Sequence, residues 1–232
     1  MELLPVLTTL PEKFIKKEFV ELIGMSKKGE SPVLFAILGV AHGNDGTSCS
    51  DDHGVDNEMR ISFLDIHNGY RSLLARGRVS IDGGTSDAPK ASKMSRLKYS
   101  CEAEEKAYES AKECKNASTN TNENVYVTAD DPSKINIVLE AGNWWWSEVL
   151  DINQTAAKGL YYLDSSTGSF ANMAWDSHKG LGCAVFNCSG GTHVVCHYTP
   201  QVRKLNESIY GVGTPCGGCP KRDCTPEEGL CD

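Results

Sequence analysis

The chain has no Lys/Arg run long enough to follow a nucleic-acid backbone, and its 31 acidic residues outnumber its 23 Lys and Arg, giving a net charge of −8. That balance argues against a nucleic-acid partner, which would be held through its phosphates. No apolar stretch approaches the roughly 20 residues that a helix needs to cross a bilayer. G-x-S-x-G, H-E-x-x-H and the phosphate-binding loop are all missing, which removes the common hydrolase, zinc-protease and nucleotide-binding readings. Neither Arg-Gly-Asp nor Lys-Gly-Asp occurs, so mimicry of fibrinogen's short adhesion motif is not supported. There is no internal repeat. No cysteine precedes position 49.

After that point cysteine is abundant. Cys49, Cys101, Cys114, Cys183, Cys188, Cys196, Cys216, Cys219, Cys224 and Cys231 make an even count of ten in 232 residues. So many thiols point to an oxidising compartment and up to five disulfides. A cytosolic metal protein is the competing reading, but the earlier cysteines lack paired C-x-x-C spacing. Cys216-Gly217-Gly218-Cys219 does match C-x-x-C. Its Cys-dense surroundings favour structural bridging over redox chemistry, which needs a helix start after a strand. Four N-x-S/T sequons, at Asn116, Asn153, Asn187 and Asn206, agree with export and glycosylation; Asn116 and Asn206 lie in the most polar, loop-like contexts.

Residues 1–43 read as an N-terminal extension. Met25 is followed by Lys27, Lys28 and the apolar run Pro32–Ala41, with small residues Ala41 and Gly43 at the end. That pattern describes a signal peptide over 25–43 and a mature, secreted chain from about Asn44; a short buried strand is the alternative. Removing the extension takes away five Lys and five Glu, so the charge stays at −8.

Apolar residues at Met59, Phe63, Ile66, Tyr70, Leu73 and Leu74 predict a helix over 57–76, with Gly77 as its stop. Leu97, Cys101, Ala107, Tyr108 and Ala111 predict a second helix over 97–114. Val125–Thr128 reads as a strand. Asp131-Pro132 suits a helix start, and the helix runs on through Val138, Trp145 and Leu150. A short helix begins near Ser169. Leu181–Cys188 and Thr192–Thr199, joined at Ser189–Gly191, read as an antiparallel hairpin that brings Cys183 near Cys196. The tail from Ile209 has almost no large apolar side chains, so its four cysteines are expected to pair among themselves and hold it. The sum is an α+β fold. The domains are an extension at 1–43, a main domain at 44–200 and a Cys-rich tail at 201–232.

Candidate binding residues are few. Trp144, Trp145 and Trp146 span about 200° of a helix, so they cannot all face one core. One of them, Trp144 by choice, is either a rim anchor for a protein partner or packed under a loop. The polar loops 80–90 and 115–124 are further candidates. His193 and His197 share a strand face and could ligate a metal together, but a core or surface role competes and no carboxylate partner is evident. His67, beside the apolar stripe, suits a hydrogen-bonded core position.

Several segments together resemble the CAP superfamily, the cysteine-rich secretory and venom-allergen-like proteins: Phe63-Leu-Asp-Ile-His-Asn-Gly-Tyr-Arg71, Ala88-Pro-Lys-Ala-Ser-Lys-Met94, Phe170-Ala-Asn-Met-Ala-Trp175 and His193-Val-Val-Cys-His-Tyr-Thr-Pro200. The resemblance covers about 49–200 and implies a CAP-type α-β-α sandwich. The tail Ile209–Cys216 is similar to the hinge-like, disulfide-rich extension of nematode activation-associated secreted proteins. Many family members bind zinc with two His and two Glu in a central cleft. By that pattern Glu123 and Glu148 are retained, while Ser118 and Ser169 stand in place of the imidazoles. Two carboxylates alone make a poor zinc site, so no metal, no cofactor and no enzymatic activity are expected. The departures resemble the hookworm anti-adhesive subgroup, which implies binding to host cell-surface integrins on platelets and inhibition of their adhesion to fibrinogen and collagen. Inhibition of a neutrophil integrin, or lipid or sterol carriage, is the alternative.

Overall fold

Helix α1 (Asn57–Ala75) starts where the Asp56 carboxylate accepts the Met59 amide at 2.9 Å, satisfying one of the free N–H groups of the first turn. Met59, Phe63, His67 and Arg71 recur every fourth residue and form its buried face. The helix ends at Gly77, whose positive φ of 67° lets its amide reach Leu74 O and the Arg78 amide reach Leu73 O, the paired bonds of a Schellman stop. The computed structural model describes residues 48–232 except 51, 119, 130–133, 153, 155–158 and 221–222. The signal-peptide segment, the Asp131-Pro132 helix start and Asn153 therefore lie outside the described residues.

After α1 come the small pair β1 (Ser80–Ile81) and β2 (Ser86–Asp87), then β3 (Lys98–Tyr99), α2 (Cys101–Ala111) and β4 (Glu123–Thr128). Helix α3 (Lys134–Ser147) runs into a 3-10 turn at Glu148–Asp151, and α4 (Gly168–Ala174) follows. The hairpin β5 (Gly180–Cys188) and β6 (Gly191–Thr199) comes next, and β7 (Cys224–Thr225) and β8 (Leu230–Cys231) close the chain. The helix expected over 97–114 is shorter. Lys98 and Tyr99 instead pair in parallel with Gly180 and Leu181, and Ser100 caps α2 by accepting the Ala103 amide.

The central sheet has the order β3-β5-β6-β4. Its two faces differ as period-2 strands require. Leu181 and Cys183 of β5, with Val194, Cys196 and Tyr198 of β6, join Phe63, Trp145 and Phe170 from α1, α3 and α4. Ala184 and Val195 face the other way, onto Ala107 and Ala111 of α2. This is the α-β-α sandwich that the sequence resemblance implies. Small residues let α2 lie close to the sheet: a Cβ on Gly182 would fall 2.1 Å from the Glu104 amide nitrogen.

All ten cysteines are bonded: Cys49–Cys101, Cys114–Cys188, Cys183–Cys196, Cys216–Cys224 and Cys219–Cys231. Cys183 and Cys196 lie directly opposite in the hairpin register. The tail is held by more than its cysteines, contrary to the composition-based expectation. Ile209, Tyr210 and Leu230 are fully buried in the main core, and Cys231 exchanges backbone bonds with Met94 and Arg96. A few well-placed apolar residues suffice because they enter a core that already exists. No described helix is long and apolar enough to cross a membrane.

Candidate functional site

Glu123 opens β4 and lies directly opposite His197 in the β4–β6 ladder. Opposed residues on neighbouring strands share a face, and here their side chains bond, Glu123 Oε2 to His197 Nε2. Ser110 of α2 donates to the second carboxylate oxygen at 2.9 Å. Burial raises the pKa of Glu123, but the hydrogen bonds of His197, Ser118 and Ser110, with the charge of His197, outweigh it and hold the carboxyl below its ordinary value. The pair lines a cleft of about 410 Å³ together with residues of α2, β4, β6 and the segment after α2. Glu105 and Glu109 of α2, with Glu113 just past its end, line one side, and Val125 and Val195 give it an apolar patch. The sequence offered His197 no carboxylate, because the partner is 74 residues away and only strand register brings it close.

Glu148 sits elsewhere. Its carboxylate accepts the Phe170 amide at 2.9 Å, at the start of α4. Burial pushes its pKa up, against the pull of the Phe170 amide, Ser169 and the Arg203 charge. Arg203 stacks over the Tyr162 ring at 4.5 Å and donates to Gly168 O; nothing in the sequence pattern had singled it out. Ser169 contributes its backbone carbonyl to Asn124. Thus Glu123 turns to α2 and takes a histidine as partner, while Glu148 turns to α4 and takes backbone amides.

This arrangement does not fit the zinc centre of the family pattern. Ser118 and Ser169 offer no imidazole, and at Glu123 one histidine and one carboxylate meet where zinc needs at least three N, S or O ligands. His193 does not supply another: it lies opposite Val127 and Phe186 in the ladder, buried among strand neighbours. The cysteines of the tail, whose sulfurs lie close together, are committed to disulfides. Among the described residues around Glu123 no hydroxyl meets the imidazole: Ser110 and His197 both bond the carboxylate of Glu123. His67 is a core residue. Its Nδ1 bonds Phe63 O, and its Nε2 meets the Tyr198 hydroxyl at 2.8 Å.

The tryptophan run divides as helical geometry demands. Trp145 and Trp146 are buried, whereas Trp144 is 58% exposed, with its ring tilted against Tyr126. Asn116, Asn187 and Asn206 are all exposed.

Comparison with known proteins places these features in a group. The pattern of the cysteine-rich secretory protein family, CAP, matches residues 64–198. The chain is 42% identical over 188 residues to hookworm platelet inhibitor 1 of Ancylostoma caninum, covering 81% of this chain and 86% of that one. It is 32% identical to the Ancylostoma secreted protein of the same species, over 79% of this chain but only 46% of the longer relative. Among solved structures, the hookworm platelet inhibitor superposes with a TM-score of 0.64, covering 74% of this chain and 85% of that one. NaASP2, solved with Zn2+, is 32% identical and superposes with a TM-score of 0.71, covering 80% of this chain and all of that one.

Proposed function

The chain belongs to the CAP family, and from that premise we propose that it is a secreted, non-enzymatic binding protein that inhibits host platelet adhesion by occupying cell-surface integrins. The observation that carries this reading is the 42% identity, over four-fifths of the chain, to a protein named for platelet inhibition. The site chemistry supports it. Serines at 118 and 169 stand where the family pattern has its two imidazoles, only Glu123 and Glu148 remain of that set, and Glu123 is already bonded to His197 and Ser110. Five disulfides and the exposed Trp144 supply what a rigid docking surface needs: fixed geometry and an aromatic anchor. The absence of Arg-Gly-Asp means that recognition uses the folded surface.

The test is adhesion of washed platelets to immobilised fibrinogen and collagen in the presence of the purified, disulfide-intact protein. Inhibition at micromolar concentration, with direct binding to a purified platelet integrin, is the expected result. Unaltered adhesion on both surfaces would remove the proposal.

A further inference from the structure

Tyr161, Leu163 and Leu205 are 37%, 49% and 56% exposed, although an apolar side chain left in water normally has a reason when others cluster beside it. They occupy two segments that pair with each other. The Asn206 amide donates to Tyr162 O at 2.8 Å, the Tyr162 amide donates to Glu207 O at 3.0 Å, and Tyr161 bridges Ser208. Gln154 pins the Tyr161 backbone with two further bonds. Tyr161 therefore stands on fixed backbone, and Leu163 and Leu205 flank the bonded pair Tyr162 and Asn206.

Asn206-Glu207-Ser208 at the centre of this platform is a sequon. Asn206 projects from a turn with φ of 63°, a conformation Asn tolerates. Among the described residues its side-chain amide has no hydrogen-bond partner. Asn187, by contrast, accepts a bond from Thr192. The turn explains an asparagine, but not why Leu205 beside it and Tyr161 and Leu163 on the paired segment are exposed.

We propose that Asn206 carries an N-linked glycan whose first sugar covers Tyr161, Leu163 and Leu205. The Asn206 Nδ2 attacks the anomeric carbon of a polyprenyl-diphosphate-linked oligosaccharide. The N–C bond forms, the sugar–phosphate C–O bond breaks, the polyprenyl diphosphate leaves with the bonding pair, and the amide proton passes to a base of the transferase. The C–H face of an N-acetylhexosamine then lies on the apolar platform and its polar face meets water, a bulky, solubilising cover. The inference rests on export of the chain, part of the function proposed above, but not on its target.

The test uses the full chain secreted from insect cells behind a cleavable leader, so that export is imposed. Glycopeptide mass spectrometry should find Asn206 occupied. Trimming with an endoglycosidase that leaves one N-acetylglucosamine should leave binding of an environment-sensitive hydrophobic dye unchanged. Complete removal with a peptide amidase should raise it severalfold, and Leu163→Ser with Leu205→Ser should return it to the starting level. An unmodified Asn206 in the secreted protein would overturn the proposal, as would dye binding that ignores complete removal. If Asn206 is unmodified and the two serine substitutions abolish platelet inhibition, the platform belongs to the protein partner instead. Loss of the platelet effect with a normal glycan response would count against the proposed target only.

Discussion

Arg71 is fully buried, yet among the described residues its guanidinium bonds no carboxylate, the Asp176 charge acting on it only at a distance. Its donors go to backbone carbonyls instead: Ser95 O at 2.7 Å, Met173 O at 2.8 Å and Trp175 O at 2.9 Å, with Asp176 O and His178 O at longer range. Burial lowers its pKa to about 10, so the group stays charged at neutral pH and ties α1 to the segments on both sides of the sheet entry. Arg71→Met leaves those carbonyls buried without donors and is expected to destabilise the fold by about 3–5 kcal/mol, measured by urea denaturation. Lysine cannot present a planar fork, so Arg71→Lys should restore less than half of the loss. The sequence showed Arg71 within a motif but not its purpose, because its acceptors lie 24 to 107 residues away.

His67 makes a second prediction at this scale. Burial, with the Arg71 charge in the same direction, lowers its pKa to about 4, outweighing the Phe63 carbonyl bond; His178 is lowered to about 3, again chiefly by burial. The unfolded chain takes up these protons near pH 6.5 and the folded chain does not. Stability is therefore full above about pH 6.5 and falls as pH drops toward 4. The His67 shift alone corresponds to roughly 3 kcal/mol at the lower end. Thermal melts of His67→Gln between pH 7 and 4 should show a shallower decline than the parent; an equal slope would assign the pH dependence to other groups.

Among the described helices, α2 carries disulfides at both ends. Cys101 at its first residue bonds Cys49, and Cys114 just beyond its end bonds Cys188 at the end of β5. Its contacts with the sheet are mostly alanines, which bury little area each. A buried cluster adds to the hold: Glu104 accepts from Arg60, Tyr99 and His53. Replacing Cys114 and Cys188 by alanine opens a 74-residue span, and the loop-entropy account sets the loss at about 4 kcal/mol. Hydrogen exchange should then show lost protection in Ala107–Ala111 while Phe63–Leu74 stays protected. Uniform loss across both helices would mean that the staple stabilises the whole sheet rather than α2.

The same element shows which parts of the fold could be read in advance. The extent of α1 and the β5–β6 hairpin were legible because their signals are local: apolar residues at helical spacing, a stop at Gly77, a short turn; the Asp56 cap appears only in the structure. The β3–β5 pairing was not, since β3 has only two residues, too few for a periodicity, and its partners Gly180 and Leu181 lie far along the chain. The Glu123–His197 contact lay in between. Period 2 fixes which face each residue takes, but only the register of β4 on β6 makes them neighbours.

At the scale of the molecule, the tail and the sandwich share one core through Ile209, Tyr210 and Leu230, so surface features keep fixed positions relative to one another. That rigidity lets a single exposed side chain matter. Trp144 contributes little to folding, being 58% exposed, and Trp144→Ala should move stability by no more than about 0.5 kcal/mol. If it anchors the proposed integrin contact, the same substitution should weaken the proposed platelet inhibition about tenfold, the effect of losing roughly 1.4 kcal/mol from an aromatic hot spot. Tyr126→Ala, which removes the ring against which Trp144 leans, should produce a smaller loss in the same direction. Full inhibition by Trp144→Ala would move the docking surface off this rim and toward loops 80–90 and 115–124.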